Sequence, residues 1–150
     1  MKNFVKLIIS VVVCEFAGAI GSFFTTPAVR GWYPTLIKPS FNPPNWLFAP
    51  VWTTLFLMMG IAMFLIWKKE KRGLTIFFAQ LFFNVLWSIM FFGLKSPLLG
   101  FIVIVILWFL ILATIVKFFK VSKTAGWLLV PYIFWVTFAS ILNFSILILN

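Results

Sequence analysis

Five long apolar runs set what this chain can become: residues 4–24, 46–67, 74–92, 97–119 and 125–149. A helix needs about 20 mostly apolar residues to cross a bilayer, and each run comes close to or exceeds that length. Lipid offers no hydrogen-bond partner to an open strand edge, so runs of this kind must be helical. The sequence therefore predicts an all-α membrane protein, a five-transmembrane-helix bundle forming one domain over residues 1–150. The breaks between runs are short, except for residues 25–45. That first loop holds Pro27, Gly31, Pro34, Pro39, Pro43 and Pro44, which deny it a regular helix. Composition agrees: 64% of residues are hydrophobic and 9% charged, against about 45–50% and about 25% in soluble domains. A domain of this size cannot bury so much apolar surface in water.

The net charge of +10 follows the membrane too. With five spans, the N-terminus and the breaks at 68–73 and 120–124 share one side. That side carries Lys2, Lys6, Lys68, Lys69, Lys71, Arg72, Lys117, Lys120 and Lys123, and the other only Arg30, Lys38 and Lys95. The positive-inside rule then puts the N-terminus in the cytoplasm and the long first loop outside. Basic residues scattered between apolar runs are not a nucleic-acid footprint. Lys2 and Lys6 before an apolar run resemble a signal peptide, but the run continues to Phe24 and reads as a retained span. The default location is a bacterial cytoplasmic membrane.

Chemistry is restricted by what the chain lacks. It has no histidine, one cysteine (Cys14) and two acids (Glu15 and Glu70). These residues support neither a metal site nor a Ser-His-Asp triad, and the two acids fall in different environments, against paired-carboxylate hydrolysis. No cofactor is expected. Glu15 lies near the middle of the first span, where a charge costs a few kcal/mol, so it is protonated, paired or functional. In that one residue the chain resembles the small multidrug exporters, whose membrane glutamate exchanges drug cations for protons. This gives an alternative reading, a proton-coupled exporter.

Eight tryptophans are far more than an interfacial belt needs. Trp46, Trp67 and Trp127 fall at run ends and suit such a belt. Trp52, Trp87, Trp108 and Trp135 lie a turn or more inside, where the indole N–H seeks protein or ligand. Either a pocket or plain helix packing would account for them. Gln80, Asn84 and Ser88 share one face of the third run, and Thr137, Ser140 and Asn143 recur at three-residue steps in the fifth. They serve as interhelical hydrogen bonds or as a cavity lining. Cys14, Gly18 and Ser22 give the first run a small face that a helix or a flat ligand can approach.

The first loop reads Trp32-Tyr33-Pro34-Thr35-Leu36-Ile37-Lys38-Pro39-Ser40-Phe41-Asn42-Pro43-Pro44, followed by Ala49-Pro50-Val51-Trp52 and Met59-Gly60. With Gln80, Asn84, Trp87, Phe91-Phe92-Gly93, Pro131-Tyr132, Trp135, Phe138-Ala139 and Leu142-Asn143 in order, the whole chain resembles the tryptophan-rich sensory protein / translocator protein family. The resemblance implies a five-helix bundle, often a homodimer, whose pocket opens under the first loop. It implies protoporphyrin IX and related tetrapyrroles as ligands, with sterols and benzodiazepine-site drugs bound by animal members. Residues matching the family pocket are Ser22, Phe48, Ala49, Trp52, Trp87, Trp135, Ala139 and Leu142. Asn84 is an adjacent polar candidate, and Trp32 and Tyr33 belong to a lid. Some bacterial members promote light-dependent breakdown of protoporphyrin, which would give Trp52 and Trp135 a photochemical role. The chain departs from the family in two places. No Lys or Arg follows Leu142-Asn143-Phe144-Ser145, so the animal sterol motif is missing, and Val103 stands where many relatives carry an acid.

Overall fold

The computed structural model describes all residues, 1–150, and is helical from end to end apart from the first loop and short turns. Helix α1 spans Asn3–Gly31 and α2 Phe48–Trp67; α3 runs Leu74–Ser88 and continues as a π turn over Ile89–Gly93. Helix α4 covers Pro97–Val121, and the last span is built from a short α5, Lys123–Leu128, followed by α6, Val130–Leu149. Five helical segments are long and apolar enough to cross a membrane.

Two boundaries differ from the sequence expectation. Helix α1 continues through Pro27 to Gly31, seven residues beyond Phe24. A single proline removes one backbone donor in the last turns of a long helix, and the Thr25 hydroxyl donates to the Gly21 carbonyl beside it, 3.0 Å away. The irregular stretch is therefore shorter than 25–45. It contains 3-10 turns at Tyr33–Thr35 and Asn45–Leu47, with extended chain between them. The last span is also broken, at Leu129, just before Pro131, which sits in the first turn of α6 where a missing N–H costs nothing. Ser96 and Ser122 cap α4 and α5 by accepting from Leu99 N–H (3.2 Å) and Ala125 N–H (3.3 Å).

Helix α1 packs on α2 and α3, and α4 bridges α3 to the α5–α6 span. Close approach is bought by glycine at two crossings. A Cβ on Gly60 would stand 2.7 Å from the Val11 Cα, so α1 and α2 touch backbone to backbone. A Cβ on Gly100 would stand 2.8 Å from the Phe91 ring and 3.1 Å from the Asn143 amide oxygen, which lets the π turn and α6 close on α4. The polarity is inverted relative to a soluble fold. Phe16, Phe23, Phe82, Phe109 and Phe134 point outward, whereas Gln80, Asn84, Thr114 and Asn143 are buried.

The two ends are chemically distinct. Lys6 lies over the Trp67 ring, and Gly73 lies against Ile66 and Phe118, which gathers the N-terminus and the two basic breaks at one end. The first loop closes the other. Asn150 grips it there through a pair of hydrogen bonds, Ile37 N–H donating to Asn150 Oδ1 (3.0 Å) and Asn150 Nδ2 donating to the Ile37 carbonyl (2.8 Å).

Candidate functional site

Under that loop, three helices converge on one another with aromatic rings. Helix α2 contributes Phe48 and Trp52, one turn apart. Helix α3 contributes Trp87, and the π turn sets Phe91 and Phe92 next to it. A π turn inserts an extra residue into the helical path and re-aims the side chains it carries. Helix α6 supplies Trp135, Ala139, Leu142 and Ile146, spaced to share a face, with Asn143 at its edge. Tyr33 closes the top from the loop.

Trp52 is the hub. Its ring centroid lies 6.1 Å from Trp87, 6.4 Å from Trp135 and 6.4 Å from Tyr132. Phe48 meets Trp135 edge-on at 6.1 Å, and Trp87 stacks on Phe91 at 5.7 Å. The rings leave a free volume of about 20 Å³, room for roughly one water. The site is thus filled by its own side chains, and a drug-sized ligand enters only if the rings swing apart.

Polar groups around the site are nearly all committed. Trp87 Nε1 donates to Asn143 Oδ1 (3.1 Å), and Asn143 Nδ2 donates to the Pro97 carbonyl (2.9 Å). One turn deeper, Asn84 Nδ2 donates to the Tyr132 hydroxyl (2.6 Å), which in turn donates to Gln80 Oε1 (2.7 Å). At the lid, Tyr33 donates to Asn42 Oδ1 (2.7 Å). Burial pushes its phenol up to about 12, so it remains a donor at any ordinary pH. Among the fully buried polar atoms of the site, Trp135 Nε1 alone has no partner. Uncompensated burial of such a donor costs about 1–3 kcal/mol, so an acceptor on a ligand would be favoured there.

Of the residues singled out from sequence, Tyr33, Phe48, Trp52, Trp87, Trp135, Ala139 and Leu142 come together in this wall. Four others do not line it. Ser22 is exposed on α1 and pairs with Thr26 (3.2 Å between hydroxyl oxygens). The inward stripe of α1 is Ser10, Cys14, Ala17 and Gly21, about 100° away around the helix from Ser22, and Gly18 turns to the Phe56 ring of α2. Ala49 is exposed on α2. Trp32 stands behind the wall, edge-on to Phe91 at 5.6 Å. Asn84 is tied up with Tyr132 below the site.

Phe91, Phe92, Asn143 and Ile146 also line the wall, although the sequence did not mark them as pocket residues. Phe91 follows Trp87 at i+4, a signal available in the sequence, but Phe92 is presented by the π turn, which no periodicity announces. Thr137, Ser140 and Asn143 of α6 do not share a face, because three-residue steps drift by about 60° each. Asn143 is buried at the site, whereas Thr137 turns outward to accept from Trp108 Nε1 (2.8 Å). Gln80 and Asn84 act as interhelical hydrogen-bonding groups. Glu15 lies half-exposed on α1, outside the aromatic wall, with no ion-pair partner.

Comparison with known proteins fits this geometry. The model of the TspO/MBR family matches residues 10–149. The chain belongs to the TspO/MBR family. It is 48% identical to the tryptophan-rich protein TspO of Chlorobaculum tepidum, over 99% of this chain and 98% of that relative. The tryptophan-rich protein TspO of Archaeoglobus fulgidus is 45% identical over 99% of both chains. The translocator protein of Ovis aries is 36% identical over 83% of this chain and 80% of its own length. Membership of the TspO/MBR family and the five apolar spans make the chain a multi-pass membrane protein.

Proposed function

We propose that this protein is a membrane receptor for tetrapyrroles such as protoporphyrin IX, bound among Trp52, Trp87 and Trp135 beneath the first loop. The observation that carries this reading is the aromatic cluster itself: flat rings from α2, α3 and α6, with the buried Trp135 Nε1 left without a partner. Stacked rings with few polar groups suit a large, flat, apolar ligand. The name translocator protein, carried by the Ovis aries relative, supports a role in handling a ligand at the membrane. Because the rings fill the site, binding proceeds by displacement of side chains rather than by entry into an open cavity.

A photochemical reading draws on one further observation, the contact of Trp52 with Trp87, Trp135 and Tyr132. A photoexcited porphyrin held against these rings would take one electron from Trp52 or Trp135, leaving an indole radical cation. Oxidative breakdown of the reduced ring would then consume dissolved dioxygen as the oxidant.

Titration of the detergent-purified protein with protoporphyrin, followed by tryptophan fluorescence in the dark and then under light, tests both. Saturable quenching is expected, weakened about three- to tenfold in Trp52→Phe. Bleaching under light is expected to slow in Trp52→Phe/Trp135→Phe. Absence of saturable quenching would overturn the receptor reading, and bleaching of the double variant at the wild-type rate would remove the photochemical role.

A further inference from the structure

The aromatic wall holds no charged side chain, and its one amide, Asn143, is committed at both ends to Trp87 and Pro97. A carboxylate pushed into such a wall would lose its hydration and gain in return at most a neutral indole N–H, that of Trp135. The acidic groups of any ligand must therefore leave the wall at the loop end. Lys38 is the cation held there. Its Nζ folds back to donate to the Tyr33 carbonyl (3.0 Å) and the Leu36 carbonyl (3.1 Å). It also lies 5.0 Å from the centre of the Tyr33 ring, and Tyr33 lines the site. An ammonium carries three donors, so one remains uncommitted.

Lys38 also forms no ion pair with an acidic side chain. The chain has two, Glu15 on α1 and Glu70, and Glu70 pairs with Arg72 (3.8 Å) in a basic break at the opposite end. Arg30 and Lys95, the other cations of the loop end, are exposed, whereas Lys38 is half-buried and fixed. A partly desolvated ammonium, immobilised by two carbonyls and a ring face, is a preorganised anion site with one donor to spare.

We propose that Lys38 is the carboxylate anchor of the pocket, selecting flat apolar ligands that carry an acid on one edge. This inference rests on the tetrapyrrole reading above and names the group that recognises the propionates.

The test compares protoporphyrin IX, a diacid, with its dimethyl ester, which keeps the ring and loses both charges. Both are titrated by fluorescence quenching in a non-ionic detergent against wild type, Lys38→Met and Lys38→Arg. Lys38→Met is expected to weaken the diacid about five- to tenfold and the ester less than twofold, and Lys38→Arg to keep the wild-type ratio. In the wild type, added salt is expected to weaken the diacid and leave the ester unchanged, a measurement that does not depend on how well the variants fold. Equal weakening of both ligands by Lys38→Met would make Lys38 a strap for the loop, and no change in either would remove it from recognition; each overturns the anchor while leaving the pocket standing. Failure of the wild type to bind either ligand overturns the pocket reading and the anchor with it.

Discussion

Tyr132 shows how a single side chain joins the site to the rest of the bundle. Its ring supports Trp52 edge-on, and its hydroxyl is both acceptor for Asn84 and donor to Gln80. Tyr132→Phe keeps the ring and strands two buried amides. Interhelical hydrogen bonds in membranes average well under 2 kcal/mol, but orphaned buried groups cost more, so a loss of about 1–2 kcal/mol is expected. Thermal unfolding in detergent measures it, and porphyrin affinity should change little because Trp52 keeps its support. The sequence placed Gln80 and Asn84 on one face correctly, since four-residue spacing fixes that. It did not identify Tyr132 as their partner, because a contact between residues 48 and 52 positions apart in the chain has no local signature.

At the scale of elements, glycine decides where helices meet. Gly60 faces Val11 backbone at a distance no Cβ can occupy, so Gly60→Leu must force α1 and α2 apart. A cost of about 2–3 kcal/mol is expected, read as lower resistance to denaturation. Gly31→Ala, with nothing within 4 Å of the added methyl, is the control and should stay within about 0.5 kcal/mol of wild type. The apolar runs located all five spans, because length and hydropathy are summed locally. The ends of α1 and the break at Leu129 escaped the same reasoning. One proline in the last turns of a long helix removes a single backbone hydrogen bond, and its cost cannot be judged from its presence alone.

On the scale of the whole molecule, charge divides the two ends. Nine cations gather with the N-terminus and three with the first loop. This asymmetry sets the expected orientation, and a membrane-impermeant maleimide on intact cells checks it. Ser40→Cys in the exposed loop should label directly, and Lys69→Cys only after permeabilisation. The native Cys14 is fully buried and should stay silent in both. The reverse labelling pattern would invert the topology and put the pocket mouth in the cytoplasm.

The sequence alone determined the solvent, the number of spans and the grouping of charges at two ends, because each follows from composition summed along the chain. The run of loop and helix motifs pointed to the family and to most of the aromatic wall. Only the tertiary structure decided that Ser22, Ala49, Trp32 and Asn84 stand outside that wall, that a π turn brings Phe92 into it, and that Lys38 is held against Tyr33 without an acidic side chain paired to it. These depend on the rotation of each helix about its own axis and on contacts between distant segments. Small shifts of helical phase, about 100° per residue, move a side chain from ligand to lipid, and packing alone sets that phase.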